Sequence, residues 1–281
     1  MKFKIGMVAL AISSCSLASD IELNISANTH PTDIYVIEQV TNALAGIGIK
    51  SHIKYSPEVY SEGRMRDMVS DGSLDLFWSM TSKQLESDYY PVRVPLYKGL
   101  MGIRLLMIND GSQSLFSNVK SLDDLSELYA GQGTFWPDTE ILRANSLNVR
   151  TAVDYHSMFP MLDGERFDYF PRGIHEPWGE IERYDDKYSF AVEPNLAISY
   201  TAPVYLFVSK NNAQLAKSLY KGLNTTIKDG SFDEIFYQSE FVIDTLERAN
   251  INDRTVLQIK NPLLTEETPV DTEEYWLKIN N

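Results

Sequence analysis

Beyond its first segment this chain has no cysteine. The only one among 281 residues is Cys15. A disulfide framework is therefore excluded, and an apolar core must hold the fold, which this length allows. No run after residue 18 is long and apolar enough for a membrane helix. A basic excess is also missing. The 25 basic residues less Lys2 and Lys4, against 39 acidic ones, leave a net charge of −16. That argues against nucleic acid and anionic lipid as partners. The four histidines, His30, His52, His156 and His175, show no metal-ligand spacing, and His175-Glu176 lacks a second histidine four residues on. There is no Gly-x-Ser-x-Gly motif and no cysteine nucleophile. The predicted protein carries no metal, no cofactor and no nucleophile of its own.

What is present begins with a leader. Lys2 and Lys4 precede a short apolar core, Ile5 to Ile12, and Ser16-Leu17-Ala18 offers small residues to a signal peptidase. Residues 1–18 are predicted to be removed on export to the periplasm. Ile12-Ser13-Ser14-Cys15 also resembles a bacterial lipobox, so lipidation at Cys15 is the other outcome. The composition of the whole chain, 43% apolar and 23% charged, is that of a soluble globular protein.

The chain is organised around Asp71 to Ile108. There a short strand, Leu74 to Ser79, is followed by a polar loop, Thr81 to Asp88, and by an extended segment leading elsewhere. Before it lie a strand at Ile21–Ser26, a helix at Thr32–Leu44, an alternating strand at Ile49–Tyr55 and a helix at Ser61–Ser70. The order β-α-β-α-β predicts an α/β fold with an open, mostly parallel sheet flanked by helices. Alternation restarts after Gly111. Ser121 with Asp124 starts a helix, Phe167 to Phe170 is a strand, and His175 to Arg183 is helical. Ser189–Val192 and Ala197–Val208 are extended, broken by Pro194 and Pro203. Amphipathic helices at Gln214–Lys228, Phe232–Tyr237 and Phe241–Arg248 follow, and Thr255 to Ile279 is an irregular tail. Two lobes result: residues 20–108 with 204–250, and residues 109–203. They are joined by crossings at about Ile108 and Thr201, with 251–281 docking on the body. The cleft between them is where such sheets place ligands.

Several stretches carry a resemblance: GSLDLFWSMT, PLYKG, SLDDL, GERFDY at Gly164–Tyr169, and LAKSLYKGLNTTIKDGSFDEIF. Their order and spacing, over most of residues 20–240, resemble the extracytoplasmic solute-binding proteins of ABC transporters, family 3, the polar amino acid type. The resemblance implies a two-lobed periplasmic-binding-protein fold that closes around a small solute. Its partners would be that solute and an ABC transporter permease or a membrane sensor, and the protein would be a monomer. Members that bind amino acids carry an arginine soon after the first-lobe threonine; an ungapped match puts Glu86 there. The second-lobe acid that receives the α-amine is replaced by Pro171-Arg172-Gly173.

Six residues are candidate ligand contacts. Ser79 and Thr81 end a strand, where hydroxyls can meet a ligand. Trp78 can stack on a solute. Thr134 and Trp136 lie in Gly131–Asp138, where free backbone N–H groups ahead of a helix suit an anionic group. Arg172, just past the predicted strand and between Pro171 and Gly173, is predicted to grip an anionic group. For each the plainer reading is structural: a cap, a core aromatic, a turn, or a salt bridge between Arg172 and an acid such as Glu86. Arg93 is a further cation. Glu86 and Glu176 are the acids to inspect if the fold instead hosts a dehydratase-like enzyme.

Overall fold

A computed structural model describes residues 19–27 and 30–278. The predicted leader, with Cys15, lies outside the described residues.

The first lobe starts with β1 (Ser19–Ile25), α1 (Pro31–Ala45), β2 (Ile49–Tyr55), α2 (Glu62–Asp71) and β3 (Leu76–Met80). β1 and β2 pair in parallel. Pro31 opens α1, where its missing N–H costs nothing. The helix buries Tyr35, Val36, Val40, Ala43 and Leu44, a stripe at helical spacing. Thr81 to Asp88 is not a plain loop. Ser82 caps α3 (Lys83–Asp88) by accepting from the Leu85 amide. Then come β4 (Tyr90–Val92) and the first crossing.

β5 (Ile103–Asn109) follows, in a ladder with strands from later in the chain. The chain continues with α4 (Leu122–Ser126), β6 (Tyr129–Gly133), α5 (Pro137–Ala144), β7 (Asn148–Ala152), α6 (Met158–Asp163), β8 (Phe170–Gly173), α7 (Pro177–Tyr184) and β9 (Phe190–Ser199). β8 starts where the predicted strand ends, because Asp168 caps the Tyr129 amide and Tyr169 only bridges to Ala130. Pro194 does not break β9; it falls where the β5–β9 register shifts between Leu105 and Met107, a site that spares it a ladder bond.

The chain returns through β10 (Val204–Val208), which lies between β3 and β4 and runs antiparallel to both. It then forms α8 (Ala213–Asp229), α9 (Ser231–Gln238) and α10 (Glu240–Ala249). α8 shares with α1 a core that includes Leu215, Leu219, Leu223 and Phe236. The tail is not all irregular: β11 (Thr255–Gln258) adds a parallel edge strand to β9 in the second-lobe sheet.

The strands form four ladders, of which β11-β9-β5-β8 is mixed and β3-β10-β4 is wholly antiparallel. β1–β2, β6–β7 and β9–β11 are parallel, while the strands next to the crossings, β5 and β10, run antiparallel to their neighbours. A strand that arrives from the other lobe enters its sheet from the far end, which reverses its direction. The two crossings touch. The Tyr200 amide donates to the Gly102 carbonyl at 3.1 Å, and a Cβ on Gly102 would lie 2.0 Å from the Tyr200 carbonyl. Only glycine permits that approach.

Candidate functional site

Two adjoining cavities lie between the lobes at the strand ends. The larger, about 510 Å³, has first-lobe walls of Asp33, Glu62, Trp78, Ser79 and Tyr97. The smaller, about 190 Å³, is enclosed by Arg104, Trp136, Asp138, Arg172 and Glu176. Arg104 and Glu176 line both.

On the first-lobe wall, the Trp78 indole N–H donates to Asp33 Oδ1 at 3.0 Å. Asp33 sits in the first turn of α1, where the helix N-terminus favours its charge. Burial nevertheless raises its pKa, with the Trp78 bond opposing. The Ser79 hydroxyl donates to Glu62 Oε1 at 2.7 Å, and Glu62 also pairs with Arg66 one turn along α2. Tyr97 is held by its hydroxyl on the Thr32 carbonyl.

The second-lobe wall is built on two buried arginines. Arg104 enters from β5 and donates to Asp138 (Nε to Oδ1, 2.5 Å) and to the Met101 carbonyl (2.7 Å). The Tyr200 hydroxyl donates to the same carboxylate at 2.5 Å, and its ring lies 5.0 Å from the guanidinium. Burial works against the Asp138 charge, yet Arg104 beside it holds the carboxyl below its ordinary range. Arg172 lies within β8, not past it, and forks onto Glu180: Nε to Oε2 at 2.7 Å and Nη2 to Oε1 at 2.6 Å. Phe170 and Trp136 stack around it at 4.7 and 5.3 Å. Glu176 takes the Gly173 amide on Oε2 at 2.6 Å and lies 3.1 Å from Arg172. A Cβ on Gly173 would sit 2.9 Å from that oxygen, so the Glu176 carboxylate occupies the space a side chain at 173 would need. His175 turns its ring edge to Phe241 of α10, and its Nδ1 is buried with no partner among the described residues. Burial pushes its pKa down, against the pull of Glu176.

The structure thus gathers Trp78, Ser79, Trp136 and Arg172 around the cleft, and leaves two predicted contacts elsewhere. Thr81 is buried, and its hydroxyl donates to Glu86 at 2.7 Å. Thr134 is exposed on an outer groove with Phe135 and Arg143. Its amide bonds the Ala152 carbonyl, and those of Gly131 and Trp136 are also taken by backbone carbonyls, so these three are not free for an anion. Arg172 meets Glu180, not Glu86. Glu86 lies away from the cavities with Arg93 and Thr265 on its carboxylate.

Sequence reasoning missed Arg104, Asp33 and Glu62. Arg104 did leave a signal: it is the one charge in the apolar run Gly102–Ile108. Asp33 and Glu62 left none, since acids in a first helical turn are common for dipole reasons alone.

No family model matches this chain, and no curated protein matches it in sequence. Solved structures do match in shape. The chain is similar to the probable amino-acid ABC transporter extracellular-binding protein YtmK from Bacillus subtilis (TM-score 0.54, 12% identity, 80% of this chain and 98% of that one). It is similar to substrate-binding domain 2 of GlnP from Lactococcus lactis in open conformation (0.50, 15%, 78% and 94%). A third is an ancestral arginine-binding protein bound to glutamine (0.50, 15%, 78% and 98%). These likenesses define the class of fold: this is a two-lobed periplasmic-binding-protein fold. Among the described residues no helix is long and apolar enough to cross a membrane, and no group of acids and histidines is arranged to hold a metal.

Proposed function

We propose that this chain is an exported solute-binding protein of the family 3 type, which captures a small polar solute by closing its lobes for an ABC-type uptake system. One observation carries the reading. The larger cavity between the lobes is walled by charged and aromatic side chains from both, and such a site binds more tightly when the walls approach. The probable amino-acid ABC transporter extracellular-binding protein and the substrate-binding domain among its structural neighbours support it.

The solute is proposed to carry an anionic group that enters the smaller cavity beside Arg104 and Arg172. Glu180 occupies two of the Arg172 nitrogens, so an incoming anion shares this guanidinium instead of capturing it alone. Trp78 and Ser79 would meet the rest of the solute. The protein is proposed to act as a periplasmic monomer without chemistry of its own, its leader spanning residues 1–18. Of the two acids first considered for an enzyme, only Glu176 reaches the cleft.

A thermal-shift screen across amino acids, small carboxylates, sugars and peptides tests the proposal. A solute present at a hundred times its Kd adds about 2.7 kcal/mol of stability. The expected hit is a small polar solute with an acid group, recovered unchanged. Recovery of a product would replace the binding reading with an enzymatic one, and a screen with no hit at millimolar solute would overturn it.

A further inference from the structure

The tail makes contacts that the binding function does not need. After α10 the chain passes to the second lobe, where Arg254 donates to the Glu193 and Leu196 carbonyls and β11 joins β9. Lys260 and Asn145, at the end of α5, exchange two hydrogen bonds of 2.7 and 2.9 Å. Asn261 holds the Thr201 carbonyl of the second crossing at 2.8 Å, and Leu263 packs on the second-lobe core. Two residues on, the Thr265 hydroxyl donates to Glu86 Oε2 in the first lobe at 3.0 Å.

The tail then turns back over the first crossing. Two residues there, Lys98 and Gly99, have left-handed backbones, with φ of 50° and 79°. For lysine that conformation is uncommon and must be held by its surroundings. The tail supplies them. Lys98 Nζ donates to the Glu274 carbonyl, the Leu277 amide donates to the Lys98 carbonyl at 2.7 Å, and the Trp276 ring covers Gly99. Tyr275 fixes this end to α8 through Asn224 at 2.6 Å. Between tail and crossings remains a cavity of about 650 Å³, behind the cleft.

We infer that residues 259–277 are a strap that limits how far the two lobes open. Leu263 belongs to one lobe and Thr265 to the other, and two residues span at most about 7 Å. While both anchors hold, the end of α5 and the start of α3 cannot part beyond that reach. Glu86 is the first-lobe buckle of the strap. It stands where the resemblance places a ligand-clamping arginine, and in this chain it clamps the protein's own tail. The inference needs two lobes that move, but no particular solute.

Lengthening the strap tests it without removing an anchor. Spin labels at Asp67→Cys on α2 and Glu182→Cys on α7, both exposed positions, report the interlobe distance once Cys15 is replaced by serine. Inserting Gly-Ser-Gly-Ser between Leu263 and Leu264 adds about 13 Å of slack. In the solute-free protein the distance distribution should broaden and its mean move outward by several ångströms. Thr265→Val, which releases the hydroxyl from Glu86 and from Thr268, should move it the same way by less. An unchanged or shorter distance in the lengthened protein, with native circular dichroism, overturns the inference.

Discussion

Two arginine–glutamate pairs, one in each lobe, look alike in sequence and sit in different surroundings. In the first lobe Arg93 places Nε and Nη2 on one oxygen of Glu86, at 3.0 and 2.7 Å. Thr81 and Thr265 also donate to that carboxylate, and it lines none of the cavities described above. In the second lobe Arg172 spreads its fork over both oxygens of Glu180, stacks on aromatic rings and still faces a cavity. On the first carboxylate every partner is protein, although Arg93 itself is only half-buried. The second pair is open on one side. On the proposed function, what separates the two pairs is that a cavity between the lobes is lined by the second arginine.

The comparison can be broken at four points, in decreasing order of effect. Glu86→Ala leaves a half-buried Arg93 without its acid and two hydroxyls without their acceptor, and should cost about 2–3 kcal/mol in denaturant unfolding. A loss below about 1 kcal/mol would mean that the first pair holds little together. Arg172→Lys keeps a charge for Glu180 but loses the fork and the stacking. Calorimetry with the solute found by screening should show about tenfold weaker binding, roughly 1.4 kcal/mol, and unchanged affinity would assign Arg172 wholly to Glu180. Gly173→Ala forces the Glu176 carboxylate out of its place. The expected stability cost is about 1 kcal/mol, with an altered solute affinity; an affinity equal to that of the parent would take Glu176 out of the site.

The smallest effect is a pH dependence. The His175 pKa is lowered by burial, so the unfolded chain binds its proton more readily than the folded one. Its contribution to stability is therefore fully present above the ordinary value of 6.5 and is lost as pH falls from there through the lower folded value. Thermal midpoints should drop on acidification across that window, and His175→Gln should lessen the drop. An identical profile in the variant would show that the imidazole is not the group responsible.

The sequence made the long elements legible because their patterns are long. The stripe of α1, the alternation of β2 and the amphipathic run of α8 each repeat several times. It hid the short ones. α3 has six residues with a single apolar one, Leu85, so it read as a polar loop. β11 has four, too few to set a period, and its identity comes from lying beside β9. The site shows the same limit. Trp78 and Arg172 stand out by residue type and strand position. Thr81 has the same signal as Ser79, and only the path of the chain turns one hydroxyl toward Glu86 and the other toward Glu62.

The late return of the chain bears on how the molecule folds. β10 separates β3 from β4, α8 completes the core under α1, and β11 closes the edge of a sheet begun at Ile103. Neither lobe can complete its sheet until residues 204–258 have been made. Contacts such as Gln39 with the Phe232 carbonyl join positions 193 apart. Loops of that length must close before their contacts stabilise anything, which slows the search. Refolding should thus be slow and concerted, with both lobes gaining protection from hydrogen exchange together instead of one after the other.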